Sequence, residues 1–378
     1  MSGAEQMRIS KRQLCVVLFA ASVLGCNRPA TVPIATGTHA PELEGGLTWL
    51  SSMPVRLAEQ RGKVVLLDFF EYSCVNCIRT FPYLQEWQKR YAGDGLVIVG
   101  VHTPQYGFSM DPQNVFAGVK RLGVTFPIVV DSDFHIADAY DNRFWPRVFL
   151  IDKDGRIRFN HTGEGAYAET ELMIQALLHE IDPAKKFPAP MPPVRDTDKP
   201  GAVCYPITTE LYLGVTRGQL GNTGSPVTNG AALYDLSGKL EEGRIYASGE
   251  WANQSEYLRH TRDTDEPQDF VALRYRATEV NVVMKPEDVY WLRVFVKQDG
   301  EWLNRDIAGE DVTYDDKGRS YVEARSARMY NLIGKQPYGS YEIQLIVQSR
   351  GLSVYSFSFG TCEIPANGDK LRQERKSS

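Results

Sequence analysis

VVLLDFFEYSCVNCIRTFP, residues 64–82, is the stretch that decides the fold. Its apolar first half predicts a buried central strand, and two cysteines follow where a helix is expected to begin. A sulfur at the first turn of a helix faces unpaired backbone N–H groups and the positive end of the helix dipole, which favour thiolate over thiol. We therefore expect a redox-active dithiol at Cys74 and Cys77.

The spacing of the two cysteines assigns them different tasks. Cys74 is expected to be the attacking sulfur. Cys77 lies one turn further into the helix, where we expect it to be buried, to keep a more ordinary affinity for its proton and to resolve a mixed disulfide. A lone Cys-x-x-Cys is also compatible with half of a zinc site, but the sequence has no second pair or Cys/His cluster to complete one.

Length and charge limit the class of protein. A chain of 378 residues with ordinary composition is long enough for two domains. The formal net charge of −5 gives no electrostatic reason to expect a nucleic-acid partner.

The first residues read as a targeting segment. Three basic residues precede an apolar run at 14–24, which is too short to span a bilayer but suits a secretory signal. Residues 23–26, Val-Leu-Gly-Cys, look like a bacterial lipoprotein cleavage box, so we expect a signal segment at 1–26, lipidation of Cys26 and a tether at 27–40. A plain secreted protein cut nearby is the alternative.

Residues 41–181 are expected to form an α/β domain. The central strand, the helix after the dithiol and a second buried strand at 96–101 make a parallel, right-handed crossover. Further elements are expected at 114–122 (helix), 126–130 (strand), 147–152 (strand after Pro146), 156–159 (strand after a hairpin turn) and 169–181 (helix with apolar positions 172, 174, 177, 178 and 181).

The composition and the spacing of apolar residues change after this domain. Residues 182–200 carry six prolines and predict a semi-rigid spacer. Residues 201–364 show short alternating runs, typical of an antiparallel β-sandwich, here of jelly-roll type, before a polar tail at 365–378. Cys204 and Cys362 lie near the two ends of the sandwich. They either form a disulfide, which would contribute about 4–5 kcal/mol, or remain free thiols.

Aromatic residues of the sandwich admit two interpretations. Aromatic faces stack on sugar rings, and this favours glycan binding by Trp251, Tyr257, Trp291 and Trp302. Aromatic residues that alternate along strands also commonly form core.

Several motifs together resemble the thioredoxin superfamily, and within it the exported TlpA/ResA-like proteins of the DipZ type. The matching residues are Cys-Val-Asn-Cys at 74–77, Gly-Val-His-Thr-Pro at 100–104, Trp-Pro at 145–146 and Gly-Glu-Gly at 163–165. Residues 209–214 and 357–360 extend the resemblance into the second domain, which in that family looks like a carbohydrate-binding module.

The resemblance implies a thioredoxin fold and roles for further residues. Asp68 is implied to assist deprotonation of Cys77, and Pro146 to follow a cis peptide bond and leave backbone groups free for an extended substrate. A trans Pro146 on an edge strand is the alternative. His102, Trp145 and Glu164 are implied to lie near the site; for His102 a strand-end cap, and for Glu164 a turn residue, are the simpler interpretations.

The function we expect is an exported thiol-disulfide oxidoreductase in the bacterial cell envelope, lipid-anchored in the periplasm or on the outer face of the membrane. It would act on protein thiols and disulfides with its dithiol and no other cofactor or metal. DipZ-type proteins carry an electron-transporting membrane domain upstream, so a separate membrane donor of the CcdA/DsbD type is implied here.

Two alternatives belong to other classes. A thiol peroxidase would need a Thr-x-x-Cys loop, whereas Glu71, Tyr72 and Ser73 precede Cys74. A non-enzymatic lipoprotein would bind carbohydrate, peptide or copper and keep the dithiol as a vestige.

Overall fold

The structure is a computed structural model and describes residues 36–45, 48–50, 53–222, 230–236, 238–287 and 289–364. The expected signal segment with Cys26, most of the expected tether and the polar tail lie outside the described residues. Within these ranges, no helix is long and apolar enough to cross a membrane.

Residues 36–181 form an α/β domain of the thioredoxin type around a six-stranded sheet in the order β1-β4-β3-β2-β5-β6. The strands β2, β3 and β4 are parallel, and β1, β5 and β6 run antiparallel to their neighbours. The elements are β1 (Thr48–Leu50), β2 (Val64–Phe70), α1 (Val75–Tyr91), β3 (Leu96–His102), α2 (Pro112–Arg121), β4 (Ile128–Val130), α3 (His135–Ala139), β5 (Arg147–Ile151), β6 (Ile157–Thr162) and α4 (Tyr167–Ile181).

The central strand β2 is buried along its whole length, with helices and loops on both faces of the sheet. Successive side chains of a strand point to opposite faces, so an apolar run without alternation supplies two cores at once. Val64, Leu66 and Phe70 belong to one core and the odd-numbered residues 65, 67 and 69 to the other. Asp68 is the single charged residue of this strand.

Two details of the α/β domain differ from the sequence-based expectation. The short helix α3 was not predicted, because five residues are too few to show a helical period; the carboxylate of Asp131 accepts hydrogen bonds from the backbone N–H groups of Ile136 and Ala137 in it. In α4, Leu172 was predicted to be a core position but is 53% exposed. The buried apolar side chains of α4 are those of Ile174, Leu177 and Leu178.

The proline-rich residues 182–200, here called the strap, lie against the α/β domain rather than standing free as a spacer. Phe187 and Met191 pack on its core. The Val194 backbone N–H donates to the Tyr83 hydroxyl at 2.9 Å, and that hydroxyl donates to Asp198 at 2.7 Å. Stiff extended backbone suits such a strap because little conformational freedom remains to be lost on docking.

Residues 203–364 form an antiparallel β domain. Two sheets share β10, whose first half pairs with β12 and whose second half pairs with β9 and β11; the strand changes sheets around Gly249, which has a φ of 98°. An apolar core fills the space between the sheets. The strands are β7 (Val203–Cys204), β8 (Leu211–Tyr212), β9 (Ala231–Tyr234), β10 (Ile245–Asn253), β11 (Leu258–His260), β12 (Asp269–Ala277), β13 (Glu279–Pro286), β14 (Leu292–Gln298), β15 (Glu301–Trp302), β16 (Val312–Tyr314), β17 (Ser320–Ala324), β18 (Arg328–Ile333), β19 (Gly339–Val347), β20 (Leu352–Gly360) and β21 (Cys362–Glu363).

The two domains share one apolar core. Tyr355 of β20 packs edge-on against Tyr106 and Phe108, with ring centroids 5.2 and 4.9 Å apart. The Tyr106 hydroxyl forms a 2.7 Å hydrogen bond with Ser356, and the Tyr72 hydroxyl donates to the carbonyl of Ala327 at 3.1 Å. The β domain is therefore fixed on the α/β domain beside the start of α1.

Cys204 and Cys362 form a disulfide. They face each other in the antiparallel pair of β7 and β21. The bond joins the first strand of the β domain to its last, as the disulfide interpretation of the sequence expects.

Candidate active site

The two sulfurs of the dithiol differ in exposure. Cys74 is the N-cap residue of α1, with extended backbone angles, and is half-buried, whereas Cys77 is fully buried in the first turn. The Cys74 backbone N–H donates to the carbonyl of Glu71 at 3.1 Å, and this bond holds the loop before the helix. Both cysteines are free thiols, so the structure is that of the dithiol form.

The proton on Cys77 is held more tightly than the sequence led us to expect. Burial, followed by a hydrogen bond with Cys74, raises the pKa of the Cys77 thiol well above its usual range. From the sequence, Cys77 was expected to be buried but to keep a more ordinary proton affinity; full burial disfavours the thiolate and accounts for the difference. Resolution by Cys77 therefore requires a base.

Asp68 is a buried carboxyl group whose charge reaches Cys77. Its side chain is fully buried in β2, and both carboxyl oxygens lack a hydrogen-bond partner among the described residues. Burial raises the pKa of this carboxyl to about 8, and its charge contributes to the raised pKa of Cys77. A group of this kind accepts and returns a proton near neutral pH.

Pro146 and Trp145 precede β5. The peptide bond between them is cis, which is the isomer that the resemblance implies. Pro146 is buried, and its carbonyl accepts a hydrogen bond from the backbone N–H of Gly163 at 2.8 Å. Trp145 is half-buried against both cores of the α/β domain.

Glu164 and Arg79 connect three parts of the chain. Glu164 accepts from Arg79 at 3.2 Å and from Arg195 of the strap at 3.0 Å. Arg79 also donates to Glu279 of β13 at 2.7 Å. Glu164 is thus more than the turn residue of the simpler interpretation. The bridging role of Arg79 was missed, since a single arginine on a helix gives no pattern to detect.

His102 is the last residue of β3 and is fully buried. Its ring stacks on Tyr72, with centroids 5.6 Å apart, and its Nε2 atom lies 3.8 Å from Oε1 of Glu71. It therefore ends the strand, as the simpler interpretation has it, and lies beneath the loop that carries Cys74.

A cleft of about 260 Å³ opens beside Cys74. More than half of its lining comes from the β domain, in four stretches: 207–210, 278–279, 283 and 358–362. The α/β domain contributes residues 73–76, 79 and 164, and the strap contributes Arg195 and Thr197. The second domain is therefore one wall of the active-site cleft. Nothing in the sequence indicates this, because the position at which a domain docks leaves no local pattern.

Comparisons with known proteins agree with this geometry. A model of the redoxin family matches residues 35–172, and a model described as the thioredoxin-like C-terminal domain matches residues 208–360. The thiol-disulfide oxidoreductase YkuV of Bacillus subtilis is 30% identical over 142 residues, which cover 38% of this chain and 95% of YkuV. ResA of Geobacillus kaustophilus, also a thiol-disulfide oxidoreductase, is 33% identical over 144 residues, 38% of this chain and 79% of ResA.

The chain belongs to the thioredoxin-like thiol-disulfide oxidoreductases. The similarity to the DipZ protein of Mycobacterium tuberculosis extends through both domains, at 32% identity over 343 residues and 90% of this chain. The chain spans 45% of the DipZ length.

The four aromatic residues considered for glycan binding have different surroundings in the structure. Trp251 is fully buried in the β-domain core, and Tyr257 packs on Tyr355 with ring centroids 4.9 Å apart. Trp291 is 45% exposed, with the guanidinium of Arg325 at 5.5 Å from its ring. Trp302 lies under the Lys297 ammonium at 4.5 Å. The core interpretation therefore applies to the first two.

The described part of the chain contains no group of three or more His, Cys, Asp or Glu side chains arranged to hold a metal ion.

Proposed function

We propose that this oxidoreductase exchanges disulfides with protein substrates outside the cytoplasm, with Cys74 as the attacking sulfur and Cys77 as the resolving one. The observation that supports this most directly is the contrast at the start of α1. A half-buried sulfur opens on the cleft, and a fully buried sulfur stands one turn behind it. Only the first can meet a substrate.

The exchange has two steps. The Cys74 thiolate attacks one sulfur of a substrate disulfide, a mixed disulfide forms, and the other substrate sulfur leaves as a thiolate that takes up a proton. Cys77 then gives its proton to Asp68 and attacks the Cys74 sulfur, which releases the second substrate thiolate. Two electrons pass from the dithiol to the substrate, and the same steps in reverse oxidise a substrate dithiol.

Substrate binding is assigned to the cleft and to the segment before β5. Pro146 and Trp145 would lie along an extended substrate whose backbone pairs beside the dithiol. Glu164 would act at the rim, where its ion pairs with Arg79 and Arg195 keep the cleft wall in place.

Export and partners form a separate part of the proposal. We propose that the signal segment delivers the chain to the cell envelope, that Cys26 is lipidated, and that a membrane protein of the CcdA/DsbD type supplies electrons. A Cys26→Ala variant should lose membrane attachment in a fractionation assay. Retention of the variant in the membrane fraction would contradict the lipid anchor.

Glycan binding by the β domain is a second, independent candidate. The exposed Tyr290 and Trp291, 97% and 45% accessible, are the surface aromatics that support it. Binding to insoluble polysaccharide that is lost in a Trp291→Ala variant would support the candidate, and equal retention of both proteins would contradict it.

A trapping experiment tests the exchange itself. Cys77→Ser leaves the attacking sulfur without its resolving partner, so mixed disulfides with envelope proteins should accumulate on Cys74 and disappear on reduction. Cys74→Ser is the matched control and should trap nothing. Equal trapping by both variants, or by neither, would contradict the assignment of the two sulfurs.

A further inference from the structure

Two fully buried side chains behind the dithiol, those of Glu71 and His102, take no part in the exchange steps above. In the parallel register Phe70 of β2 lies beside His102 of β3, so Glu71, the next residue, meets the imidazole at the carboxyl edge of the sheet. The two side chains approach to 3.8 Å between Oε1 and Nε2. This oxygen and both ring nitrogens have no hydrogen-bond partner among the described residues.

Burial restricts the charges that this pair can carry. A buried carboxylate with a free oxygen is costly unless a positive charge compensates it. When the pair holds one proton, its net charge is zero, whichever group carries the proton. When the pair holds none, an uncompensated negative charge remains inside the domain.

The carboxylate is connected to the loop of the attacking sulfur. Its second oxygen, Oε2, accepts hydrogen bonds from the backbone N–H and the hydroxyl of Ser73 at 2.8 and 2.6 Å. The backbone carbonyl of Glu71 holds the N–H of Cys74. A change in the charge of Glu71 therefore acts immediately beneath the Cys74 loop.

The surroundings of the pair are mostly acidic. Burial, with Glu71 as the next cause, raises the pKa of Tyr72, the ring that covers His102. Burial raises the pKa of Glu210 in the β domain, and Glu71 contributes to that rise. The titratable and charged groups that face the pair, its covering ring or the dithiol are Asp68 of β2, Cys77 of α1, Asp111 and Arg121 at the two ends of α2, and Glu210, Tyr212 and Tyr355 of the β domain.

We propose that Glu71 and His102 are a positioning pair for Cys74: the proton they share cancels the Glu71 charge beneath the Cys74 loop, and its loss disfavours the Cys74 thiolate. The proposal rests on the proposed function, in which that thiolate is the attacking species. The pair exchanges a proton with solvent and supplies no electrons. The two electrons of the exchange still come from Cys74 and Cys77.

The test is whether Glu71→Gln and His102→Asn shift the pH dependence of Cys74 alkylation in opposite directions. The full-length reduced chain is alkylated with iodoacetamide between pH 4 and 10, and modification at Cys74 is followed by peptide mass mapping. Glu71→Gln keeps an acceptor for Ser73 but cannot take on the negative charge that the pair acquires when its proton is lost, so the half-maximal rate should move to lower pH by about one unit, which is about tenfold in rate on the rising limb. His102→Asn removes the compensating cation, so the pH of the half-maximal alkylation rate should rise by about one unit.

Two further variants separate charge from geometry. Ser73→Ala breaks a hydrogen bond of Glu71 without changing the charge of the pair, so the alkylation profile should keep its midpoint. The double variant Glu71→Gln with His102→Asn should behave as Glu71→Gln alone, because without the carboxylate there is no charge to compensate. Shifts of both single variants in the same direction, or no shift in either, would overturn the proposal.

A measurement on the unsubstituted chain covers the case in which a variant fails to fold. Coupling between two sites is reciprocal, so the His102 ring must respond to the state of the dithiol if the dithiol responds to the ring. The pH at which the His102 ring nitrogens titrate by NMR should differ between the dithiol and disulfide forms. Identical titration of His102 in the dithiol and disulfide forms would refute the proposed coupling between the pair and Cys74. Alkylation needs no substrate disulfide, so this test does not depend on the trapping experiment. Opposite shifts in alkylation together with no mixed disulfides trapped by Cys77→Ser would overturn the proposed function but support the role of the pair.

Discussion

Burial in the central strand moves the titration of Asp68 from the usual range of a carboxyl to a pKa of about 8. Below about pH 4 the group is protonated in both the folded and the unfolded chain. Between about pH 4 and pH 8 the folded chain keeps a proton that the unfolded chain has released, so the free energy of unfolding falls as the pH rises, by up to about 1.4 kcal/mol per pH unit.

Asp68→Asn should therefore be a stabilising substitution whose effect grows with pH. The neutral amide removes the ionisation of the buried group, so the gain in unfolding free energy over the unsubstituted chain should be larger at pH 8 than at pH 5. Urea unfolding at the two pH values measures this, with Asp316→Asn at an exposed turn as the control. A difference that does not change with pH would contradict the raised pKa.

At the residue scale the sequence predicted which residues are reactive but not how their surroundings change their pKa values. Cys74 and Cys77 were identified because their spacing relative to a strand and a helix start is local information, and Asp68 was identified through the family resemblance. The raised pKa of Cys77 and the contact of Glu71 with His102 depend on which other atoms cover them. Those atoms come from segments distant in sequence, so no spacing rule predicts them.

At the scale of helices, the surroundings of Glu171 also depend on segments that are distant in sequence. It is fully buried in α4 and accepts hydrogen bonds from the Tyr91 hydroxyl at 2.5 Å, from the Arg90 guanidinium, and from the Met191 backbone N–H at 2.8 Å. One carboxylate thus joins α4, α1 and the strap. The strap was expected to be a semi-rigid spacer, and its docking was not foreseen because proline content shows stiffness but not whether a segment docks.

Glu171→Ala should destabilise the fold by about 1–3 kcal/mol, because the buried Tyr91 hydroxyl, the half-buried Arg90 guanidinium and the Met191 backbone N–H lose the carboxylate that accepts from them. Glu171→Gln still accepts from the Tyr91 hydroxyl and should cost less. The free energy of unfolding in urea measures both variants. An effect of Glu171→Ala no larger than that of an exposed substitution would show that the strap and the two helices are held together by packing alone.

At the scale of the whole molecule, residues of two domains line one cleft beside Cys74. Both domains are recognisable from the pattern of apolar residues in the sequence. The alternation of short strands was sufficient to predict an antiparallel β domain after an α/β domain. Its position against the dithiol was not predictable, since the contacts of Arg79 with Glu279 and of Tyr106 with Ser356 pair residues about 200 and 250 positions apart. The residue types involved occur throughout the chain.

The Cys204–Cys362 disulfide should contribute to stability through the length of chain it closes. The two residues are 158 positions apart, and a loop of that size corresponds to about 4–5 kcal/mol in the chain-entropy model. The double variant Cys204→Ser with Cys362→Ser should lower the free energy of unfolding by about this amount. Urea unfolding of the variant and of the intact chain, with the dithiol reduced in both, measures the difference. Equal stability would show that the strand pairing alone fixes the two ends.

Equilibration of the chain with mixtures of reduced and oxidised dithiothreitol, followed by alkylation and peptide mapping, tests most directly whether Cys74 and Cys77 are a working redox pair. The two sulfurs should become linked in a single two-electron transition, about 30 mV for each tenfold change in the ratio, at a potential between about −270 and −120 mV. A Cys74 and a Cys77 that stay unlinked across the whole range, or that are oxidised independently of each other, would contradict a dithiol that exchanges disulfides.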